Sequence, residues 1–291
     1  MSLPPFEYLA PGSTAELTGL LAAHRERCRI LAGGTDLVNW MAEKIYRPDY
    51  VIDLRRLPLA GITYEKGRGL TIGAAATIES LERSAVVREC YYALVQAAGQ
   101  IGSPQIRAMA TIGGNCCNAS PCADMPPPLI TLGATVVLTC AGGSRELPLE
   151  SFITGNRQTA IRPDEFLESI RVPDPWPNSA CRYSPFGLRA AQEIDIASVA
   201  VNVAIDPATG LVSNARIAMG AVAPFAMRAP GAEALLIGKT PAADAVNEAA
   251  AHCGRECRPI DDLRASASSR RHIVGVLARR MLRDAVAAIT G

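Results

Sequence analysis

Apolar positions recur at helical spacing in some stretches and alternate as in a strand in others, and the switches between the two outline the chain. Residues 13 to 24 predict a helix, with Leu17, Leu20 and Leu21 on one face, Ser13 or Thr14 as its cap and Glu16 in its first turn. The short run Arg29-Ile30-Leu31 predicts a strand that leads directly into Gly33-Gly34. Thr35 and Asp36 are placed to cap a short helix carrying Leu37, Val38, Trp40 and Met41, and Tyr50 to Leu54 predicts the next strand. Strands follow at 61–64 and 70–73, joined through Lys66-Gly67-Arg68-Gly69. Thr77 caps a helix with Ser80 and Leu81, and a longer helix is predicted through Val86, Val87, Tyr91, Leu94 and Val95, ending near Gly99.

Beyond Pro126-Pro127-Pro128 lie an apolar stretch and strands at 135–140, 145–149 and 165–172. Pro173, Pro175 and Pro177 then fall within a few residues of one another, which marks a domain boundary. Past it, 198–205 and 212–219 predict a hairpin, followed by helices at about 228–237 and 242–253. The last helix, about 268–288, sets Ile273, Leu277, Met281, Ala285 and Ile289 on one side and a dense set of arginines on the other.

Composition narrows the class. The chain has 291 residues, 49% of them hydrophobic, enough for a large core and about two domains. A net charge of +1 gives no reason to expect a nucleic-acid partner. Mean hydropathy is +0.14 with only 5% aromatics, so the apolarity comes from aliphatic residues, and faces covered by partner subunits are compatible with it. No stretch approaches the ~18–20 uninterrupted apolar residues of a membrane span, and the N-terminal residues lack the pattern of a signal peptide. Nine scattered cysteines fit a reducing cytoplasm better than a disulfide framework.

The candidate chemistry lies in two glycine pairs, Gly33-Gly34 and Gly113-Gly114, 80 positions apart. Glycine permits positive φ and close approach of another group, and successive bare N–H groups make a concave anion site. Two such turns are suited to gripping a diphosphate from both sides. Neither is a G-x-G-x-x-G fingerprint, so a nicotinamide-type Rossmann site is not indicated.

Around these pairs run LAGGTDLV (31–38), RPDYVIDLRRLP (47–58), LTIGAAATI (70–78) and QIRAMATIGGNCCNASPCADMPPPLITLGATV (105–136). Later come RPDEFLESIRVP (162–173), IDIASVAV (194–201), RIAMGAVAPFAMRAPGAEALLIGK (216–239) and DLRASASSRRHIVGVLARRML (262–282). With these stretches the chain resembles, over nearly its whole length, the FAD-binding medium subunit of molybdenum hydroxylases. That group includes xanthine dehydrogenase, carbon monoxide dehydrogenase and 4-hydroxybenzoyl-CoA reductase. The resemblance implies an α+β fold with a two-part FAD-binding domain of the vanillyl-alcohol-oxidase-like type and a C-terminal α+β domain. The parts would span residues 1–57, 58–175 and 176–291. It also implies non-covalent FAD that passes electrons from [2Fe-2S] clusters to an external acceptor such as NAD. The clusters would lie on a small iron–sulfur subunit and the molybdenum cofactor on a large molybdopterin subunit, in an (αβγ)2 heterohexamer. No residue of this chain would then act as acid or base on the organic substrate.

By the same resemblance, backbone N–H groups of Ala32, Gly33, Gly34, Thr35, Asp36 and Leu37 would wrap the diphosphate. Thr111, Gly114 and Asn115 would contact phosphate and linker, Asp124 the ribose hydroxyls, and Asn118 and Ser120 would lie on or just behind the cofactor. Ile101 and Ile161 match positions used for contacts to the flavin. One departure concerns a lysine that some relatives place near the flavin ring. Gly187 takes that position here, so either Arg189 supplies the charge or none is supplied.

Cys116, Cys117, Cys122 and Cys140 raise the question of an iron–sulfur cluster. The 4-hydroxybenzoyl-CoA reductase branch carries one here in a long insertion, for which this chain has no room. Ferredoxin and zinc spacings are both absent, so no metal is expected. His24, His252 and His272 all lie outside the glycine runs, which leaves no histidine there for covalent flavin attachment. The alternatives are a stand-alone flavin oxidoreductase of the same fold and an assembly module that has lost flavin. The intact GGTD and TIGGN runs count against the second.

Overall fold

Three hydrophobic clusters, each built on its own sheet, carry the chain. The structure is a computed structural model that describes residues 2–189 and 192–291. In the first cluster, strands Glu7–Leu9, Tyr50–Asp53 and Cys28–Leu31 pair in parallel with Tyr50–Asp53 in the middle. The helix Thr14–His24 covers this sheet with Leu17 and Leu21, and the Ser13 hydroxyl accepts from the Glu16 N–H at its start.

The second sheet is antiparallel throughout, in the order Ile62–Glu65, Gly69–Gly73, Phe166–Val172, Thr135–Cys140, Gly143–Pro148. Helices cover its inner face. The long helix expected through Val86 to Val95 is two, Ala85–Cys90 and Tyr92–Gln100. The chain breaks at Tyr91, whose ring is fully buried and whose hydroxyl donates to the Pro173 carbonyl at 3.1 Å. A buried tyrosine with one fixed partner sets the bend, which periodicity alone does not register. The helix also runs through Gly99 to Gln100. Two further short helices, Pro104–Met109 and Pro126–Thr131, start with proline in the first turn, where its missing N–H costs nothing.

The C-terminal sheet adds Ser179–Phe186, a strand the hydrophobic pattern did not mark, to the expected hairpin Ala197–Ile205 and Val212–Gly220, with Met227–Arg228 at the edge. Helices Ala243–Glu256 and Ala267–Thr290 pack on it through Val246, Ala250, Val274 and Leu277. The expected helix at 228–237 shortens to Pro230–Ala234. Tyr183, Ala200 and Ala218 of this sheet join the core of the second. Across that junction the Ala221 N–H donates to the Pro121 carbonyl at 2.7 Å and Asn202 Nδ2 to the Thr131 carbonyl at 3.2 Å.

Candidate cofactor site

At the end of strand Cys28–Leu31 the chain turns without side-chain bulk. Gly34 has φ +75°, a conformation that favours glycine. From Ala32 to Leu37, six consecutive backbone N–H groups donate to no acceptor among the described residues. The expected capping by Thr35 or Asp36 does not occur: Asp36 makes no side-chain bond to the helix start, and the Thr35 carbonyl instead accepts from Asn39 Nδ2 at 2.8 Å. The turn is only half-buried, so these amides are open to an acceptor from outside the chain, and successive free N–H groups suit an anion.

The turn borders a cleft of about 400 Å³ lined by Leu31 to Thr35, Val38, Arg55, Ile106 and Met109. Its depth depends on Gly33. A Cβ there would lie 2.0 Å from the Met109 carbonyl oxygen, so the turn rests directly on the backbone just ahead of the second glycine run. Arg55 brings positive charge to the wall. Its Nε donates to Asp53 Oδ2 at 2.7 Å, and the Tyr8 hydroxyl donates to the same carboxylate. Burial opposes ionisation of Asp53, but the hydrogen bonds from Arg55 and Tyr8 prevail and hold its carboxyl below the ordinary range.

The second glycine run is a different structure from the one expected. Thr111 caps a helix, Ile112–Asn118, so Gly113-Gly114 is its first turn and not an open loop. The N–H groups here are spent: Ile112 on the Ala76 carbonyl, Gly113 on the Ala74 carbonyl, Gly114 on the Thr111 hydroxyl oxygen and Asn115 on the Thr111 carbonyl. Gly113 lacks a side chain because Ala74 occupies the space, its carbonyl oxygen 2.6 Å from where a Cβ would sit. A second anion nest is therefore absent at 112–115. What this run offers is side chains. Asn115 Oδ1 and Asn118 Oδ1 are both buried without a partner, and Asn118 Nδ2 donates to Asp36 Oδ2 at 3.1 Å, tying the two runs together.

Ser120 accepts from the Cys122 N–H through its hydroxyl, and Asp124 accepts from the Tyr183 hydroxyl at 2.8 Å. Ile101 ends the helix Tyr92–Gln100, and both it and Ile161 are partly buried against the second core. A second cleft, about 230 Å³, is lined by Gln100, Phe186, Gly187, Arg189, Glu193 and Asp195 among others. The segment from Gln100 to Met109 thus borders both clefts. Arg189, the candidate replacement for the missing lysine, has its Nε on Glu193 Oε2 at 2.8 Å. Among the described residues no cluster of His, Cys, Asp or Glu could hold a metal. Burial pushes the Cys117 thiol up to about 12 and the Cys122 thiol up to about 11, so both stay protonated.

Free amides beside an arginine, orphaned asparagine oxygens and a glycine cradle fit a diphosphate-linked dinucleotide. Comparison with known proteins specifies which. The family model described as the FAD binding domain in molybdopterin dehydrogenase matches residues 4–175, and that of the CO dehydrogenase flavoprotein C-terminal domain matches residues 182–285. The chain belongs to the FAD-binding subunits of the molybdopterin dehydrogenases. It is 33% identical to the carbon monoxide dehydrogenase medium chain of Hydrogenophaga pseudoflava over 97% of both chains. It is 32% identical to the nicotinate dehydrogenase FAD-subunit of Eubacterium barkeri over 80% of both. The solved carbon monoxide dehydrogenase of Hydrogenophaga pseudoflava, in a form lacking the Mo-pyranopterin moiety, superposes on 99% of this FAD subunit with a TM-score of 0.94 and 34% identity.

Several residues of the site carried no sequence signal of their own. Met109 acts through its carbonyl, which any residue has. Arg55 stood inside a matched stretch without a role. Tyr183 is a lone tyrosine in an unrecognised strand, whereas Asp195 lay in the matched stretch IDIASVAV.

Proposed function

We propose that this FAD subunit is the outlet of a molybdenum hydroxylase. The observation that carries the proposal is the run of unpaired N–H groups from Ala32 to Leu37 beside Arg55. These amides would grip the FAD diphosphate, with Arg55 adding charge to the wall. The Thr111 hydroxyl and the Asn115 and Asn118 amides would contact phosphate and linker, and Gly114 would let the chain approach closely. Asp124 would accept from the ribose hydroxyls, with Ser120 behind it, and Ile101 and Ile161 would flank the flavin. The division at residues 57 and 175, and the likeness of the FAD-binding part to the vanillyl-alcohol-oxidase type, belong to the same reading.

When bound, FAD would pass electrons from [2Fe-2S] clusters on a small partner subunit to an external acceptor such as NAD. The chain's own task is to hold the cofactor without a covalent bond, exclude bulk water from it and set its electrostatic surroundings. The organic substrate would react at a molybdenum cofactor on the large subunit. Relatives named for carbon monoxide and for nicotinate share this module, in keeping with a substrate pocket elsewhere. An (αβγ)2 assembly in the cytoplasm completes the reading, and no helix among the described residues is long and apolar enough to cross a membrane.

Acid extraction of flavin and an iron assay on the chain co-purified with its partners, then on the chain alone, test this. About one releasable FAD per chain is expected, with iron only in the partners. Iron and labile sulfide in the isolated chain would contradict the metal-free reading. A colourless chain that takes up no added FAD would remove the proposal altogether.

A further inference from the structure

Where the FAD-binding part meets the C-terminal sheet, two carboxyl groups share one phenol. The Tyr183 hydroxyl lies 2.8 Å from Asp124 Oδ1 and 3.3 Å from Asp195 Oδ2, and the two carboxyl groups also touch each other. Asp124 comes from the loop after the second glycine run, and Asp195 from the lead-in to strand Ala197–Ile205. Asp195 is buried and also lines the smaller cleft. A phenol has a single proton to donate and cannot satisfy both carboxylates.

Among the described residues no cation forms an ion pair with either carboxyl. Arg270 spends Nη1 on the Ile196 and Ala221 carbonyls, at 2.6 and 3.0 Å, and Nη2 on Asp262 at 2.8 Å. Arg264 also turns to Asp262, and Glu193 to Arg189. The other titratable group facing the pair is the Cys122 thiol, which burial keeps protonated. Burial pushes both carboxyls above the ordinary range, and the nearby Asp124 charge lifts Asp195 further, so Asp195 is the higher of the two. Burial and the adjacent aspartates also push the Tyr183 phenol well up, so it remains a donor. Two buried carboxyls this close do not both ionise readily, so the pair tends to keep one proton between them, and the environment favours Asp195 as its holder.

We propose that Asp195 is a positioning residue for the cofactor. Its carboxylic proton and the Tyr183 hydroxyl both donate to Asp124, which holds an ionised oxygen ready for the adenosine ribose hydroxyls, and removing that proton weakens FAD loading. The proposal rests on Asp124 being the ribose acceptor. FAD affinity then has two limbs. At acid pH a second proton neutralises Asp124 and removes the acceptor. At alkaline pH Asp195 ionises, and the two like charges force Asp124 out of position.

FAD is titrated into the deflavinated complex across about pH 5–9, alongside the melting temperature of the same samples. Wild type is expected to lose about 10-fold in affinity on each limb. In Asp195→Asn the amide still donates to Asp124 but cannot ionise, so affinity near neutral pH is kept and the alkaline limb disappears. Linkage gives a second readout. A carboxyl whose folded pKa lies above its unfolded value contributes stability at low pH that is lost as pH rises through the folded pKa. Wild-type melting temperature therefore falls towards alkaline pH, and D195N flattens that fall. An alkaline affinity limb that survives in D195N overturns the proposal. If D195N flattens the melting curve while wild-type FAD affinity has no alkaline limb, the shared proton exists but does not position the cofactor, and the proposal fails while the FAD reading stands. If Asp124→Asn binds FAD as wild type does, the ribose assignment itself fails. Should D195N not fold, Tyr183→Phe removes the other donor to Asp124 and must move the acid limb to higher pH; an unmoved limb overturns the proposal.

Discussion

Gly33-Gly34 and Gly113-Gly114 look alike in the sequence and do opposite things in the fold. At the first pair the amides stay free, Gly34 is left-handed, and the turn faces a cleft. At the second the same kind of amide is used up within the protein, and the absent side chain makes room for Ala74. A glycine pair thus reports that something lies close to the backbone. Whether that neighbour is a ligand or the protein itself depends on what the N–H groups meet.

Substitutions at these glycines separate the two roles. Gly33→Ala should have the largest effect. Its Cβ would meet the Met109 carbonyl carbon at 2.8 Å as well as its oxygen, both backbone atoms that cannot turn aside. A loss on the order of 3 kcal/mol is expected, together with a fall in FAD affinity on the order of 100-fold. Thermal melting and flavin-fluorescence titration read the two, and unchanged FAD binding would remove the contrast between the pairs.

Gly113→Ala comes next. Contact with the Ala74 carbonyl oxygen at 2.6 Å and its Cβ at 2.7 Å should cost about 1–3 kcal/mol of stability. FAD affinity of the folded fraction should stay near wild type, and a large affinity loss would mean that Gly113 itself also faces the cofactor. Gly34→Ala forces an L-residue to φ +75° beside Leu31 and Val38, at roughly 1–2 kcal/mol. Here the loss should appear mainly as weaker FAD binding, since the strain falls on the nest itself.

Thr111→Val keeps the shape and deletes the cap, for about 1 kcal/mol. A stability change alone would make Thr111 purely a cap, whereas a parallel fall in FAD affinity, reversed in Thr111→Ser, would assign its hydroxyl to the cofactor as well. The smallest effect concerns reactivity. With its thiol held up near 12, Cys117 should resist alkylation at mildly alkaline pH in the folded chain and react only on unfolding. Mass spectrometry of labelled peptides reads this, and fast native labelling would show an accessible thiolate.

Much of the framework was legible from local chemistry. Ser13 and Thr77 cap the helices their positions announced, and the hairpin around 206–211 forms between alternating apolar strands. The strand Ser179–Phe186 carries little local signal because Tyr183 and Phe186 are its only large apolar residues and Pro185 interrupts it. Its place is set by pairing with Ala197–Ile205, where every residue is buried. The helix expected through Val86 to Val95 breaks at Tyr91 for a similar reason: a contact with Pro173, 82 residues away, outweighs periodicity.

The sequence by itself determined the family, the FAD-binding assignment and the two runs between which a diphosphate site had to be sought. Those depend on residue type and local spacing, which the chain carries wherever it folds. Only the tertiary structure decided that one run keeps its amides free while the other spends them, that Met109 supplies the floor under Gly33, and that Asp124 and Asp195 meet across Tyr183. Each of these follows from segments distant along the chain competing for the same hydrogen bonds and the same space, and no local pattern records which of them wins.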